Sequence, residues 1–74
     1  MRVNNPATIN ASTLASAMGI TNIRLIKLVN AGIVPRPDER RQGNSRWWHE
    51  RTIRRMDSRI ADICGVILAA REAA

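Results

Sequence analysis

From Asn10 to Met18 the chain reads "NASTLASAM", and Ala11, Leu14, Ala15 and Met18 recur at spacings of three and four. That is the repeat of one helix face. Asn10 is suited to accept a hydrogen bond from the first free backbone N–H groups, and Gly19 to stop the helix in the left-handed region. A second helix is predicted after a tight turn, with Thr21 as N-cap, running to about Ala31 and ended by Gly32. At ~100° per residue, Leu25, Ile26, Leu28 and Val29 share one broad face. Arg24, Lys27 and Asn30 point the other way, with Ile23 among them, either as surface scatter or as an apolar contact to a partner.

The helical rhythm then breaks. Pro35 and Pro37 restrict their segment to an edge strand or extended arm. "QGNS" reads as a turn, and "SRWWH" alternates well enough for a short strand, which together predict a two-stranded hairpin. Adjacent strand residues point to opposite faces. Trp48 is therefore expected to enter the core, while Trp47 shields the outer face of the hairpin or stacks on an arginine. The last predicted element is one long helix from about Glu50 to Ala70 or beyond. Its apolar stripe is Ile53, Met56, Ile60, Ile63 and Ile67, with Arg51, Arg54, Arg55 and Arg59 opposite. Gly65 interrupts it, either neutrally or to admit a neighbouring helix.

Helix, turn, helix, basic hairpin, helix is the order of a winged helix-turn-helix, mainly α with a small β-hairpin. The division expected is a flexible leader over residues 1–8 and a single domain over 9–74, its long C-terminal helix spanning 50–72. With 74 residues the chain holds one domain at most. "MRVNNPATIN" has no apolar stretch after its arginine, so no signal peptide is expected. No apolar run approaches the ~20 residues of a membrane span. A single cysteine, Cys64, excludes an internal disulfide and builds no zinc site alone, and a reducing cytoplasm is the natural compartment.

Charge changes the picture most. The formal net charge is +6, and the basic side chains are arginines except for Lys27. A small domain this basic suits a polyanionic partner. In a helix-turn-helix the second helix enters the major groove, and here it would present Thr21, Asn22, Arg24 and Lys27. Arginine or lysine can donate to guanine and asparagine can pair with adenine. The hairpin adds Arg36, Arg40, Arg41, Gln42, Asn44 and Arg46, suited to the minor groove or to phosphates. Asp38 and Glu39 stand against that role unless they face away or pair with arginine.

Catalysis finds little support. His49 is the only histidine, no nucleophile–base constellation surrounds it, and Cys64 lies on the apolar helix face. There is no phosphate-cradling glycine loop and no metal-ligand spacing. The reading is a non-enzymatic protein without cofactor or metal, whose partner is double-stranded DNA.

"STLASAMGITNIRLIKLVNAGIVPRP", the arginine-rich turn and "RWWHERTIRRM" together resemble the small winged-helix proteins of temperate phages. Closest are the excisionases of the lambda type and the related Cox and AlpA-like regulators. "WHERTI" is most similar to lambda-type excisionase at the junction of wing and helix. Gly19 to Gly32, Ile33 and the proline-bearing wing also resemble the DNA-binding half of the MerR superfamily. The likeness covers about residues 8 to 60. It implies an architectural factor that binds repeats in an attachment site, bends DNA and helps a phage integrase excise the prophage, and that also represses transcription. Asn22, Arg24 and Lys27 would read the major groove, and Arg40, Arg41 and Arg46 would form the wing contact. Beyond residue 60 the chain departs from a minimal excisionase. MerR-type proteins dimerise through such a helix, which makes Ile60, Ile63 and Ile67 the candidate seam of a homodimer or of a cooperative oligomer on DNA. The implied setting is the nucleoid of a bacterial host. The alternatives are a DNA-recognition module of a phage terminase small subunit, and a helical protein-interaction module. A helix held on an anionic membrane fits poorly, because its arginines fill only the first half.

Overall fold

The computed structural model describes residues 8–73, and of 71–73 the backbone alone. The elements follow as β1 (Thr8–Asn10), α1 (Ala11–Met18), α2 (Asn22–Asn30), β2 (Glu39–Arg41), a 3-10 turn (Gln42–Asn44), β3 (Ser45–His49), α3 (Glu50–Met56) and α4 (Ser58–Ala73). Among the described residues the chain is mainly helical, with four α-helices and one antiparallel sheet in the order β1–β3–β2.

The first two helices start and stop where the sequence signals them. Asn10 Oδ1 accepts from the Thr13 N–H at 2.8 Å, and Thr21 Oγ1 from the Arg24 N–H at 3.1 Å. Each such cap satisfies a donor that the helix cannot, for about 1 kcal/mol. Gly19 and Gly32 take φ of 72° and 80°, the left-handed stop that only glycine adopts without a Cβ penalty. In the closure after α2 the Ile33 N–H donates back to the Leu28 carbonyl at 3.0 Å.

Trp48 holds the sheet to these helices. It is fully buried, and its indole N–H donates to the Pro35 carbonyl at 2.8 Å. One side chain thus fixes both the central strand and the proline-bearing connection from α2. Around it lie Ile9, Leu14, Leu25, Val34 and Ile53, all buried. Cys64 and Ala61 of α4 close the core from the other side. Trp48 is the core anchor that strand alternation predicts.

Three expectations are corrected. Thr8 is not leader: it opens β1, whose Ile9 stands opposite Trp48 and whose Asn10 stands opposite Trp47. The rest of the expected leader, residues 1–7, lies outside the described residues. A three-residue strand is too short to show an alternation of its own, so β1 escaped the pattern reading.

The single long helix is two. Asp57 is extended, with φ −161° and ψ 111°, and its carboxylate accepts from the Arg59 N–H at 2.9 Å. It is therefore the N-cap of α4. The Met56-to-Ile60 spacing runs across this break and hides it.

The break re-aims α4, so that Ala61, Cys64 and Leu68 face inward while Ile63 is 44% exposed and Val66 69%. The proposed seam of Ile60, Ile63 and Ile67 is thereby divided. Ile60 packs on this chain's own core, Ile67 is half-buried and Ile63 faces out. Gly65 admits no close helix neighbour among the described residues, since none of their atoms lies within 4 Å of where its Cβ would stand.

Candidate nucleic-acid interface

The sheet's pleat sorts the hairpin's side chains onto two faces. Arg40 stands opposite Arg46, Glu39 opposite Trp47, and Arg41 opposite Ser45. Alternation puts Arg40 and Arg46 on the same face as Trp48 and Ile9. At its base this inner face is core. Farther out the hairpin passes the end of the core and overhangs α2, and there the inward positions are arginines.

The overhang forms a cleft of about 300 Å³ lined by Arg36, Arg40 and Arg46 with Pro37, and by Ile26, Val29 and Asn30 of α2. A second depression, lined by Asn22, Ile26, Asn44, Arg46 and Trp47 among others, shares Ile26 and Arg46 with the first. The two meet at Ile26 and Arg46 and together follow α2 as a trough in two parts. The first reaches Asn30 at the C-terminal end of the helix and the second Asn22 at its N-terminal end, where Trp47 also reaches in from the outer face. Sequence reasoning missed Asn30 as a trough residue. Ile26, placed by the wheel on the broad apolar face of the helix, forms the trough's apolar wall. The signal for Ile26 was its place on the wheel, at the edge of the apolar face nearest Asn22 and Asn30.

The outer face is chemically distinct. The Arg41 guanidinium lies 4.0 Å from the centroid of the Trp47 ring. Its Nε and Nη2 both donate to Glu39 Oε1, at 3.2 and 3.1 Å, and Nη2 also reaches Thr8 Oγ1 at 3.4 Å. His49 Nε2 donates to the other oxygen of Glu39 at 2.9 Å. These bonds from His49 first, then Arg41, hold the Glu39 carboxyl below its ordinary pKa. Trp47 thus stacks with an arginine, as one of its two expected roles, and Arg41 is separated from Arg40 and Arg46 instead of joining them.

Asp38 faces the start of α3. Its Oδ2 accepts the His49 backbone N–H at 2.8 Å. Burial works against the carboxylate, but that N–H, the Thr52 hydroxyl and the nearby His49 and Arg51 outweigh it and lower its pKa. Both acids of the hairpin segment therefore turn away from the cleft and pair locally.

The same commitment holds for the other acids whose side chains are described. Glu50 and Asp62 both bind Arg54, the latter at 3.1 Å, and Asp57 lies 3.7 Å from Arg59. The Arg54 guanidinium, bonded to Glu50 first and Asp62 second, has its pKa raised further. By contrast Arg24, Lys27, Arg36, Arg40 and Arg46 form no ion pair with any described residue. Arg51 and Arg55 of α3 are also without one.

On α2, Asn22, Ile23, Arg24, Lys27 and Asn30 are exposed, as is Thr21 before it, and Ile23 is 70% exposed. Lys27 and Ile23 continue the helix surface outward from the trough, and Arg24 lies farthest round. At the hairpin tip Gln42 is exposed, and its carbonyl accepts from the Ser45 hydroxyl at 3.1 Å. Asn44 holds φ at 64°, a left-handed position that asparagine tolerates.

Burial, and then the Glu50 charge, push the Cys64 thiol up, away from the thiolate that nucleophilic chemistry needs. No group of three or more potential metal ligands occurs among the described residues, and none of their helices is long and apolar enough to cross a membrane. What the assembled site can do chemically is bind anions: guanidinium groups without carboxylates present paired donors to phosphate or carboxylate oxygens. Comparison with family models, with curated proteins and with solved structures finds no match to this chain.

Proposed function

We propose that this chain is a winged helix-turn-helix protein that binds double-stranded DNA sequence-specifically, with α2 in the major groove and the β2–β3 hairpin as its wing. The observation that carries the reading is the sorting of charge. Acids whose side chains are described pair with Arg41, Arg54 and Arg59. Arg24, Lys27, Arg36, Arg40 and Arg46 on α2 and beside the hairpin, like Arg51 and Arg55 of α3, form no ion pair with any described residue. Only beside the hairpin do three such arginines share one cleft. A surface built only for solubility has no need to separate its charges this way.

Asn22, Arg24 and Lys27 are the base-reading residues of this proposal, and Thr21, Gln42 and Asn44 adjoin the backbone. The role is that of a non-enzymatic factor of a phage or mobile element, an excisionase acting with an integrase, a transcriptional repressor, or both. It needs no cofactor and would work in the bacterial cytoplasm, on the nucleoid. Pairing of two copies on DNA would use the exposed Ile63 and Val66 beside the half-buried Ile67.

The test is a gel-shift titration on attachment-site, promoter and random-sequence duplexes at two salt concentrations. The expected result is preferential binding of one specific duplex, with discrimination reduced when Arg24 and Lys27 are changed to alanine. Equal affinity for all duplexes would sink the sequence-specific reading.

A further inference from the structure

We infer that the trough between α2 and the hairpin is a clamp for the sugar-phosphate backbone of one DNA strand. Arg36, Arg40 and Arg46 are its phosphate ligands, and Arg41 is not one. The inference rests on the duplex-binding proposal and adds the site at which the backbone sits.

Its first support is an electrostatic cost. Arg40 and Arg46 are direct cross-strand partners on one face, and like charges so placed destabilise a sheet. Arg36 brings a third guanidinium to the same cleft, and no acidic side chain lines it. Asp38 and Glu39 are adjacent in sequence but are spent on His49 and Arg41 instead. A polyanion relieves the repulsion that the fold leaves standing.

The second support is shape. The two depressions share Ile26 and Arg46, so the ligand space is an elongated trough open to solvent rather than a closed pocket. From Asn22 to Asn30 it follows α2 for about 12 Å at ~1.5 Å per residue. Such a length holds only a short stretch of one strand's backbone, and all three arginines line the first depression, with Arg46 shared by the second. Asn22, Asn30 and Asn44 along the trough supply neutral donors, and neutral side chains of this kind commonly bind phosphate oxygens.

The test uses the full chain and a short random-sequence duplex, measuring affinity across a salt series. Each of Arg36→Ala, Arg40→Ala and Arg46→Ala should lower the slope of log affinity against log salt by about 0.9, the release expected for one phosphate contact. Arg41→Ala should leave the slope unchanged. Circular dichroism should show Arg40→Ala and Arg46→Ala melting no lower than the parent chain, since each removes a cross-strand repulsion. A merely structural role predicts the opposite.

The clamp is overturned if the triple variant keeps the parent slope, or if Arg41→Ala flattens it as much as Arg40→Ala does. It is also overturned if poly-glutamate competes as well as duplex at equal charge concentration, which would mark a site for acidic polypeptide. Failure of the parent chain to bind any duplex would instead bring down the DNA-binding proposal itself.

Discussion

Arg54 and Arg40 carry the same side chain in opposite circumstances. Arg54 joins α3 to α4: it bonds Glu50 one turn back and Asp62 across the break at Asp57. Arg40 stands opposite another arginine, with a third in the same cleft and no carboxylate there. In the α3–α4 region Arg54 and Arg59 are matched by acids while Arg51 and Arg55 line no shared cleft, and the helices pack on buried Ile53, Ala61 and Cys64. In the α2–hairpin region only Leu25 of α2 is buried, and the cations are left for something else. The contrast teaches that net charge is a poor guide to a binding face in so small a chain. What identifies the face is where cations that no described acid neutralises gather in one cleft.

The largest test of that contrast removes the residue both regions share. Trp48→Ala takes away the fully buried indole and its bond to the Pro35 carbonyl. Truncating a buried tryptophan costs about 3–5 kcal/mol, against a total stability of roughly 4–11 kcal/mol for a 74-residue domain. Chemical denaturation is expected to show a transition midpoint far below that of the parent, with a large share of the total stability lost. A cooperative transition close to that of the parent would mean that the hairpin is held by something other than its anchor.

Trp48 was legible in the sequence because two adjacent tryptophans on a strand must part ways, one inward and one outward. The caps Asn10 and Thr21 and the glycine stops were legible for a similar reason: each is a local hydrogen-bond or backbone requirement that one residue type meets best. What escaped reading depended on distant partners or on a coincidence of spacing. β1 is three residues long and acquires meaning only when Ile9 meets Trp48. The separation of Arg41 from Arg40 and Arg46 follows from strand alternation, yet it becomes informative only once Arg40 and Arg46 overhang α2 and Arg41 meets Trp47 and Glu39. At Asp57 the sequence held two signals in conflict. The apolar repeat from Met56 to Ile60 favoured one helix, whereas "MDSR" offered an aspartate suited to an N-cap. The cap prevailed, because the break lets Ala61 and Cys64 reach the core.

That conflict gives the next test. Asp57→Ala removes the acceptor for the Arg59 N–H and leaves a strong helix former at the break. Loss of an N-cap of this kind costs about 1 kcal/mol, so the denaturation midpoint is expected to fall modestly. Affinity for random duplex should stay that of the parent, since the trough lies on the other region. A rise in helical circular dichroism with no loss of stability would instead show that the two helices can merge, and that the division of α3 from α4 is not what sets the α4 packing. A fall in duplex affinity would break the independence of the two regions.

The smallest expected effect lies on the outer face of the hairpin and is read by pH. Hydrogen bonds from His49 and Arg41 hold the Glu39 pKa below its ordinary 4.5. A carboxyl whose pKa is lower in the folded chain than in the unfolded one stabilises fully above the unfolded value, and that stabilisation is lost as pH falls through the folded value. The contribution of the Glu39 carboxylate should therefore stay constant between neutral pH and the ordinary value of 4.5. Below it, protonation of Glu39 should free Arg41 from one of its partners and loosen the stack on Trp47. Tryptophan emission is expected to shift over that acid range in the parent chain, and the shift should shrink in Glu39→Gln and in Trp47→Phe. Asp38, also held below its ordinary 3.8, contributes at still lower pH, so the upper part of the shift belongs to Glu39. An unchanged shift in Glu39→Gln would remove the carboxylate as the cause. Because Arg40 and Arg46 lie on the opposite face of the sheet, duplex affinity at fixed ionic strength should hold while the outer face first loosens. A simultaneous loss of both would mean that the Glu39–Arg41–Trp47 stack positions the trough, and that the two faces are one device.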